Sequence, residues 1–258
     1  MMSTKETLES ILSFLPFSLW TNVSILFAGL LVVCLLIYLI IKLFGRMKKS
    51  GEPSILIVGS MNTGKSCLFY QLNEGEFVET QRSMREQEAT FAIHEKYVKE
   101  KDPKAQAKKY HFIDWPGSPS LRLRLSDFYP VTEKIVFVVD GTELDDDTFE
   151  LFYKLLSAQK LKEKQTPFLV VLNKSDLVDS PDVKPMKKLF NRELAQLNKT
   201  YGSTSYTKEQ EDETENAITQ LLDESEEFLL EKLQNPITFV KSSIKNGQID
   251  DIIDFITN

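Results

Sequence analysis

The sequence predicts an α/β fold: a mostly parallel six-stranded sheet with helices on both faces, preceded by one transmembrane helix. Three observations carry this expectation. Short apolar runs at 55–58, 110–114, 135–139, 168–172 and 237–240 alternate with helical stretches, the pattern of parallel strands buried on both faces. A glycine-rich loop follows the first run directly, and a helical stretch follows the loop. No charged residue lies between Glu9 and Lys42.

The N-terminal element comes first. Leu19 to Ile41 is dominated by Leu, Ile, Val and Phe, which is enough for a bilayer crossing of roughly 20 helical residues. A cleaved signal peptide fits poorly, because its apolar region runs to only about 7–15 residues and ends in small side chains, whereas this run ends in Leu39-Ile40-Ile41-Lys42. An amphipathic surface helix needs a polar stripe, and Leu30 to Ile41 has none. Lys42, Arg46, Lys48 and Lys49 follow the run, against Lys5, Glu6 and Glu9 before it. Positive flanks stay cytosolic. The expected organisation is therefore a luminal segment 1–18, a span 19–41, a basic linker 42–53 and a cytosolic domain 54–258. The sequons at Asn22 and Asn198 are expected to carry no glycan, one lying at the bilayer edge and the other in the cytosol.

The chain of 258 residues is 42% hydrophobic, sufficient for a sizeable core. Its net charge of −7 gives no broad basic field, so direct nucleic-acid binding is not expected. The two cysteines, Cys34 in the apolar stretch and Cys67 after the glycine-rich loop, do not form a disulfide framework.

Ser54 to Val58 reads as a buried strand running into Gly59-Ser60-Met61-Asn62-Thr63-Gly64-Lys65-Ser66, with a helix expected over Cys67 to Leu72. Strand, G-x-x-x-x-G-K-S loop and helix are the phosphate-binding arrangement of P-loop NTPases. Backbone N–H groups and the helix N-terminus wrap the phosphates. Lys65 is expected at the terminal phosphates, and the Ser66 hydroxyl on Mg²⁺, a hard cation that prefers oxygen. The loop set expected at the nucleotide is Gly59, Asn62, Thr63, Gly64, Lys65, Ser66 and Cys67.

The third strand ends in Asp114-Trp115-Pro116-Gly117, a D-x-x-G pattern in which Asp114 would hold Mg²⁺ and the Gly117 N–H would meet the γ-phosphate. The run Phe168 to Leu172 ends in Asn173-Lys174-Ser175-Asp176. Asp176 suits the N1–H and exocyclic amine of guanine, donors that adenine does not present in that pattern. The Lys174 stem can lie over the base. A helix N-cap would use similar residues but does not explain their place after a strand in a chain with a phosphate loop. The last run leads to Lys241-Ser242-Ser243-Ile244, whose backbone is expected near the guanine O6, with Ser242 and Ser243 as the candidates. Thr90 to Val98 is expected to add an antiparallel hairpin strand, with a polar turn through Lys99 to Lys108.

At these residues the chain resembles the signal recognition particle receptor beta subunit family. The likeness rests on the single N-terminal span joined to a Ras/Arf-type GTPase domain, on Ser120-Leu121-Arg122 after D-x-P-G, and on Ile135 to Asp140. The resemblance implies a single-pass endoplasmic reticulum GTPase binding GTP or GDP with Mg²⁺. It also implies that the chain anchors the receptor alpha subunit during co-translational targeting, with the ribosome or translocon as further partners. Two departures stand out. Ser118 occupies the water-orienting position where family members commonly carry His, so slow hydrolysis is expected. The first-switch metal ligand, counted about 17 residues on from Ser66, falls on Ser83, with Thr80 and Thr90 less well spaced.

Three functions compete: a regulatory switch GTPase, a scaffold that holds GTP with negligible hydrolysis, and an Arf-like GTPase of vesicle traffic. The third typically has a lipidated or amphipathic N-terminus. An ATP-driven transporter subunit is disfavoured by Asn173-Lys174-Ser175-Asp176. Glu209 to Glu231 carries ten acidic residues and no basic one, and reads as a solvated face.

Overall fold

The computed structural model describes residues 29–33, 35, 52–98, 108–177, 181–203, 220–223 and 227–258. The chain divides into two units, Met1–Lys48 and Lys49–Asn258. In the first, residues 29–33 and 35 are helical and exposed. The expected luminal segment and most of the expected span and linker lie outside the described residues. Among those described, no helix is long and apolar enough to cross a membrane. The expected turn from 99 to 107 and most of the acidic run also lie outside them.

The second unit is built on a six-stranded sheet in the order β2-β3-β1-β4-β5-β6. Its strands are β1 (Ser54–Val58), β2 (Gln87–Ala92), β3 (Lys109–Asp114), β4 (Thr132–Asp140), β5 (Phe168–Asn173) and β6 (Ile237–Lys241). Only β2 runs antiparallel to its neighbour. All residues of β1 and β5 are buried, because helices cover both faces and alternate side chains enter two separate cores.

One core takes Leu56, Ile135, Phe137, Val139, Val170 and Leu172 from the sheet. It packs them against α2 (Asp146–Ser157), α4 (Val183–Ser203) and the 3-10 segment Pro119–Phe128. Phe152 of α2 lies 4.8 Å from Phe137 and 5.4 Å from Phe190, centroid to centroid. Burying each such ring is worth about 1.5–3 kcal/mol. The other core takes Ile55, Ile57, Val136, Val138 and Val171 against α1 (Lys65–Glu74) and α5 (Asp250–Thr257). The short α3 (Gln159–Glu163) buries Leu161 beneath the first core.

Local chemistry sets the ends. α1 begins at Gly64 and stops at Gly75, both left-handed, so it exceeds the expected Cys67 to Leu72. The Asp145 carboxylate accepts from the Thr148 N–H and caps α2, whose first turn holds Asp146 and Asp147 at the positive end of the dipole. Lys134 donates to the Phe255 and Ile256 carbonyls, closing the last turn of α5.

The edge strand corrects the sequence expectation. β2 spans Gln87–Ala92, not Thr90 to Val98, and Glu95–Tyr97 forms a 3-10 turn. Gln87 and Glu88 are poor strand formers, but β3 offers them a partner in the register Gln87↔Asp114. Downstream, the Tyr97 hydroxyl accepts a hydrogen bond from the Gln71 side chain at 2.8 Å, which pulls the chain off the sheet edge and onto α1. Asn198 is buried. Its Oδ1 accepts from the Tyr153 hydroxyl and the Leu221 N–H, so this sequon asparagine holds a turn inside the fold.

Candidate functional site

The loops leaving β1, β3, β5 and β6 meet the segment from Phe77 to Ser83 around a cavity of about 680 Å³. It lies beyond the carboxyl ends of the strands, where open α/β sheets bind ligands. Asn62, Gly64, Lys65, Ser66, Cys67, Ser83, Gly117, Asn173, Lys174 and Asp176 line it, so residues scattered over the sequence meet in one place. Gly59, Thr63, Asp114, Ser242, Ser243 and Ser118 stand behind or beside that surface.

At one end the phosphate loop closes on its own lysine. Lys65 is 6% exposed, and its ammonium donates to the Ser60 carbonyl at 2.5 Å and to Thr63 Oγ1 at 3.4 Å. Burial pushes it down to about 8, with the Asp114 charge opposing and the Arg122 charge adding to the shift. Gly64, at φ 96°, is required on two counts: a left-handed backbone, and a Cβ that would fall 2.5 Å from the Asn173 amide nitrogen.

Beside the lysine, three hard oxygen donors converge. Ser66 Oγ donates to Asp114 Oδ2 at 2.5 Å and lies 3.0 Å from Ser83 Oγ. Asp114 Oδ1 is buried without a hydrogen-bond partner, and burial pushes this carboxyl up to about 6 against the Ser66 hydrogen bond and the Lys65 charge. An orphaned oxygen on a carboxylate bonded to Ser66, whose hydroxyl in turn meets that of Ser83, fits a cation such as Mg²⁺. Among the described residues no group of three or more His, Cys, Asp or Glu forms a metal centre. A cation here would therefore complete its shell with phosphate and water oxygens. Of the other switch threonines considered, Thr80 contacts Cys67 Sγ at 3.4 Å, while Thr90 sits in β2 against His111.

At the far end Asn173 braces two loops. Its amide donates to the Thr63 carbonyl at 2.8 Å, and its Oδ1 accepts from the Ile244 N–H at 3.0 Å. Lys174 adopts φ 63° and pairs with Asp140. Burial alone would raise Asp140, but hydrogen bonds from Lys174 and Thr142 outweigh it and hold the carboxyl below its usual range. The exposed Asp176 carboxylate accepts from Ser243 Oγ at 2.6 Å, which holds it low and fixes its direction.

Ser242 is placed differently from its expected role. Its N–H continues the ladder to the Leu172 carbonyl at 2.9 Å, and its hydroxyl donates to Gln248. The residues of that loop on the cavity wall are Ile244 and Lys245. Ser118 starts the 3-10 segment, its hydroxyl 2.9 Å from that of Ser120. Sequence reasoning also missed Asp140 and the Arg122–Asp147 pair. Asp140 had a readable signal, a carboxylate at the carboxyl end of a central strand. Asp147 had none.

The chain is similar to the signal recognition particle receptor subunit beta of rat, at 28% identity over 88% of this chain and 81% of that one. The human protein of that name is also 28% identical, over 89% of this chain and 82% of its own. Human ADP-ribosylation factor-like protein 4C is 30% identical, over 52% of this chain. Among solved structures, the mammalian SRP receptor superposes with a TM-score of 0.65 at 24% identity, covering 79% of this chain and 98% of its own. The SRb-GTP/SRX complex from Chaetomium thermophilum superposes with a TM-score of 0.58 at 16% identity, covering 81% and 98%. These superpositions establish the shared fold. A sequence model of the signal recognition particle receptor beta subunit matches residues 50–237, most of the second unit and of the whole chain, and the chain belongs to that family.

Proposed function

We propose that this chain is a membrane-anchored GTP-binding protein that serves as the beta subunit of a signal recognition particle receptor, anchoring the alpha subunit at the endoplasmic reticulum for co-translational targeting. The observation that carries the nucleotide reading is the bracing of two recognition ends by one side chain: Asn173 ties the phosphate loop to the wall on which Ser243 orients Asp176. Both ends line one cavity of about 680 Å³, room for a nucleoside with its phosphates. In this reading Gly59, Asn62, Thr63, Gly64, Lys65, Ser66, Cys67 and Gly117 surround the phosphates. Lys174 covers the base, and Asp176 reads its donors. Ser242 and Ser243 support from behind. Ser66, Asp114 and Ser83 would hold Mg²⁺, which supplies charge neutralisation at the β and γ phosphates when bound.

The relatives support the partner reading: solved relatives carry GTP with SRX, and GDP with Mg. The ribosome or translocon joins as a further partner by resemblance alone. A scaffold reading, with GTP held as a structural cofactor, draws on Ser118, a short side chain engaged with Ser120 and not among those lining the cavity. One experiment serves both readings. The purified full-length chain in detergent is expected to bind GTP in strong preference to ATP and, under single turnover, to hydrolyse it at about 10⁻³ s⁻¹ or slower. Equal displacement by ATP would sink the guanine assignment, and a rate near 1 s⁻¹ would place another residue on the water.

The topology proposed is residues 1–18 luminal, 19–41 spanning, 42–53 linking and 54–258 cytosolic, on the apolar length and on the basic residues that follow it. Protease added to sealed microsomes should digest the cytosolic domain; full protection of that domain would reverse the orientation. A linker of this length reaches at most roughly 40 Å, so the partner works close to the bilayer.

A further inference from the structure

A second cation stands behind the phosphate loop, and nothing in the nucleotide reading uses it. Arg122 lies in the 3-10 segment that follows Gly117, with its side chain 12% exposed. Its guanidinium is bidentate on Asp147: Nη1 donates to Oδ1 at 2.6 Å, and Nη2 donates to Oδ2. Nη2 also reaches the Gly117 carbonyl at 3.4 Å. On the other side of the pair, Ser60 of the phosphate loop donates to Asp147 Oδ2 at 3.4 Å and lies 2.8 Å from the Thr148 hydroxyl. Asp147 sits in the first turn of α2, where the helix dipole favours its charge, and the Arg122 hydrogen bonds hold its carboxyl below the usual range.

One ion pair thus links three segments: the Gly117 turn, the phosphate loop and the N-terminus of α2. The contact beneath it is tight, since a Cβ on Gly117 would come 2.7 Å from the Ser60 carbonyl and from the Met61 nitrogen. The Gly117 turn therefore rests directly on the phosphate loop, with Arg122 clamping its carbonyl. The neighbouring Arg124 differs: its side chain is 65% exposed and meets Glu86 at 3.2 Å, the kind of surface pair that contributes little.

A triphosphate differs from a diphosphate only by its terminal group, so only protein groups near that group can tell the two apart. In the guanine-nucleotide reading the Gly117 turn, on the cavity wall, is one of them. A turn already fixed in place costs less to order on binding than one that must be gathered by the ligand. We propose that Arg122, acting through Asp147, is a positioning residue that presets the Gly117 turn against the phosphate loop and so tilts the site toward the triphosphate. The proposal rests on the guanine-nucleotide reading above.

The test measures GTP and GDP affinities on the full-length chain in detergent, for the wild type, Arg122→Ala, Arg122→Lys and the exchange Arg122→Asp with Asp147→Arg. The expected result for Arg122→Ala is a loss of about tenfold for GTP, the scale of one charged hydrogen bond, with GDP within about twofold. Arg122→Lys keeps the charge but not the bidentate fork and should lose GTP affinity by an intermediate factor. The exchanged pair should recover part of the GTP affinity. A cooperative thermal melt close to that of the wild type shows that a variant is folded; should Arg122→Ala fail that control, Arg122→Lys carries the comparison. An unchanged GTP/GDP ratio in the folded variants, or an equal loss of both nucleotides, would overturn the proposal while leaving the guanine-nucleotide reading intact. A wild type that binds neither nucleotide would overturn that reading, and the proposal with it.

Discussion

Lys65→Ala in the full-length chain is expected to weaken both GTP and GDP by about 100-fold or more, roughly 2.7 kcal/mol, the scale of a lost charge-assisted hydrogen bond. Lys65 is buried, and among the described residues its ammonium donates to the Ser60 carbonyl and the Thr63 hydroxyl beside it. A phosphate would add further opposite charge beside this desolvated cation, which otherwise feels only the Asp114 charge against its burial. The same argument gives a pH dependence. Burial lowers Lys65 to about 8, and phosphate binding favours its charged form, so affinity should be full below that value and fall as pH rises through it. Alanine should abolish the dependence along with the affinity. Equilibrium titration with a fluorescent nucleotide at several pH values would check both, and retention of wild-type affinity would show that the loop does not hold phosphates.

Asp176→Asn is expected to lower GTP affinity by about 100-fold or more and to raise affinity for xanthosine triphosphate. Guanine presents two donors on the edge that Asp176 would read, and a carboxylate is acceptor-only. The Ser243 hydroxyl already occupies one position on Oδ1 and fixes the carboxylate in place, leaving Oδ2 and the remaining lone pair for the base. Asparagine would turn one of those oxygens into a donor facing a donor. Xanthine, with a carbonyl in place of the amine, would match it instead. Sites built to pair a polar edge discriminate strongly because a mismatch leaves groups unpaired. Competition among guanine, xanthine and adenine triphosphates on wild type and variant would decide it; a variant with unchanged GTP preference would remove Asp176 from the base site.

What could be read without coordinates was whatever depends on neighbours in the chain. Strands β1, β4 and β5 announced themselves by unbroken apolar runs, because a parallel strand buried on both faces admits no polar alternation. The phosphate loop and the Asn173-Lys174-Ser175-Asp176 stretch were legible for a similar reason: their function needs particular residues at fixed spacing, directly after a strand. The count from Ser66 to Ser83 also led to two hydroxyls 3.0 Å apart. β2 was legible as an antiparallel strand but not in its bounds, since Gln87 and Glu88 become part of it only by pairing with β3.

The tertiary structure decided how separate segments share the work. In sequence Asn173 is only the first residue of the Asn173-Lys174-Ser175-Asp176 stretch; in the fold its amide braces Thr63, 110 residues away, against Ile244. Ser243 aims Asp176, and Ser242 spends its N–H on the sheet. Arg122 and Asp147, 25 residues apart with strand β4 between them, meet behind the phosphate loop. Local pattern encodes a residue's backbone state and its candidate chemistry. Which groups satisfy one another is settled only when parallel crossover connections bring the carboxyl ends of the strands side by side.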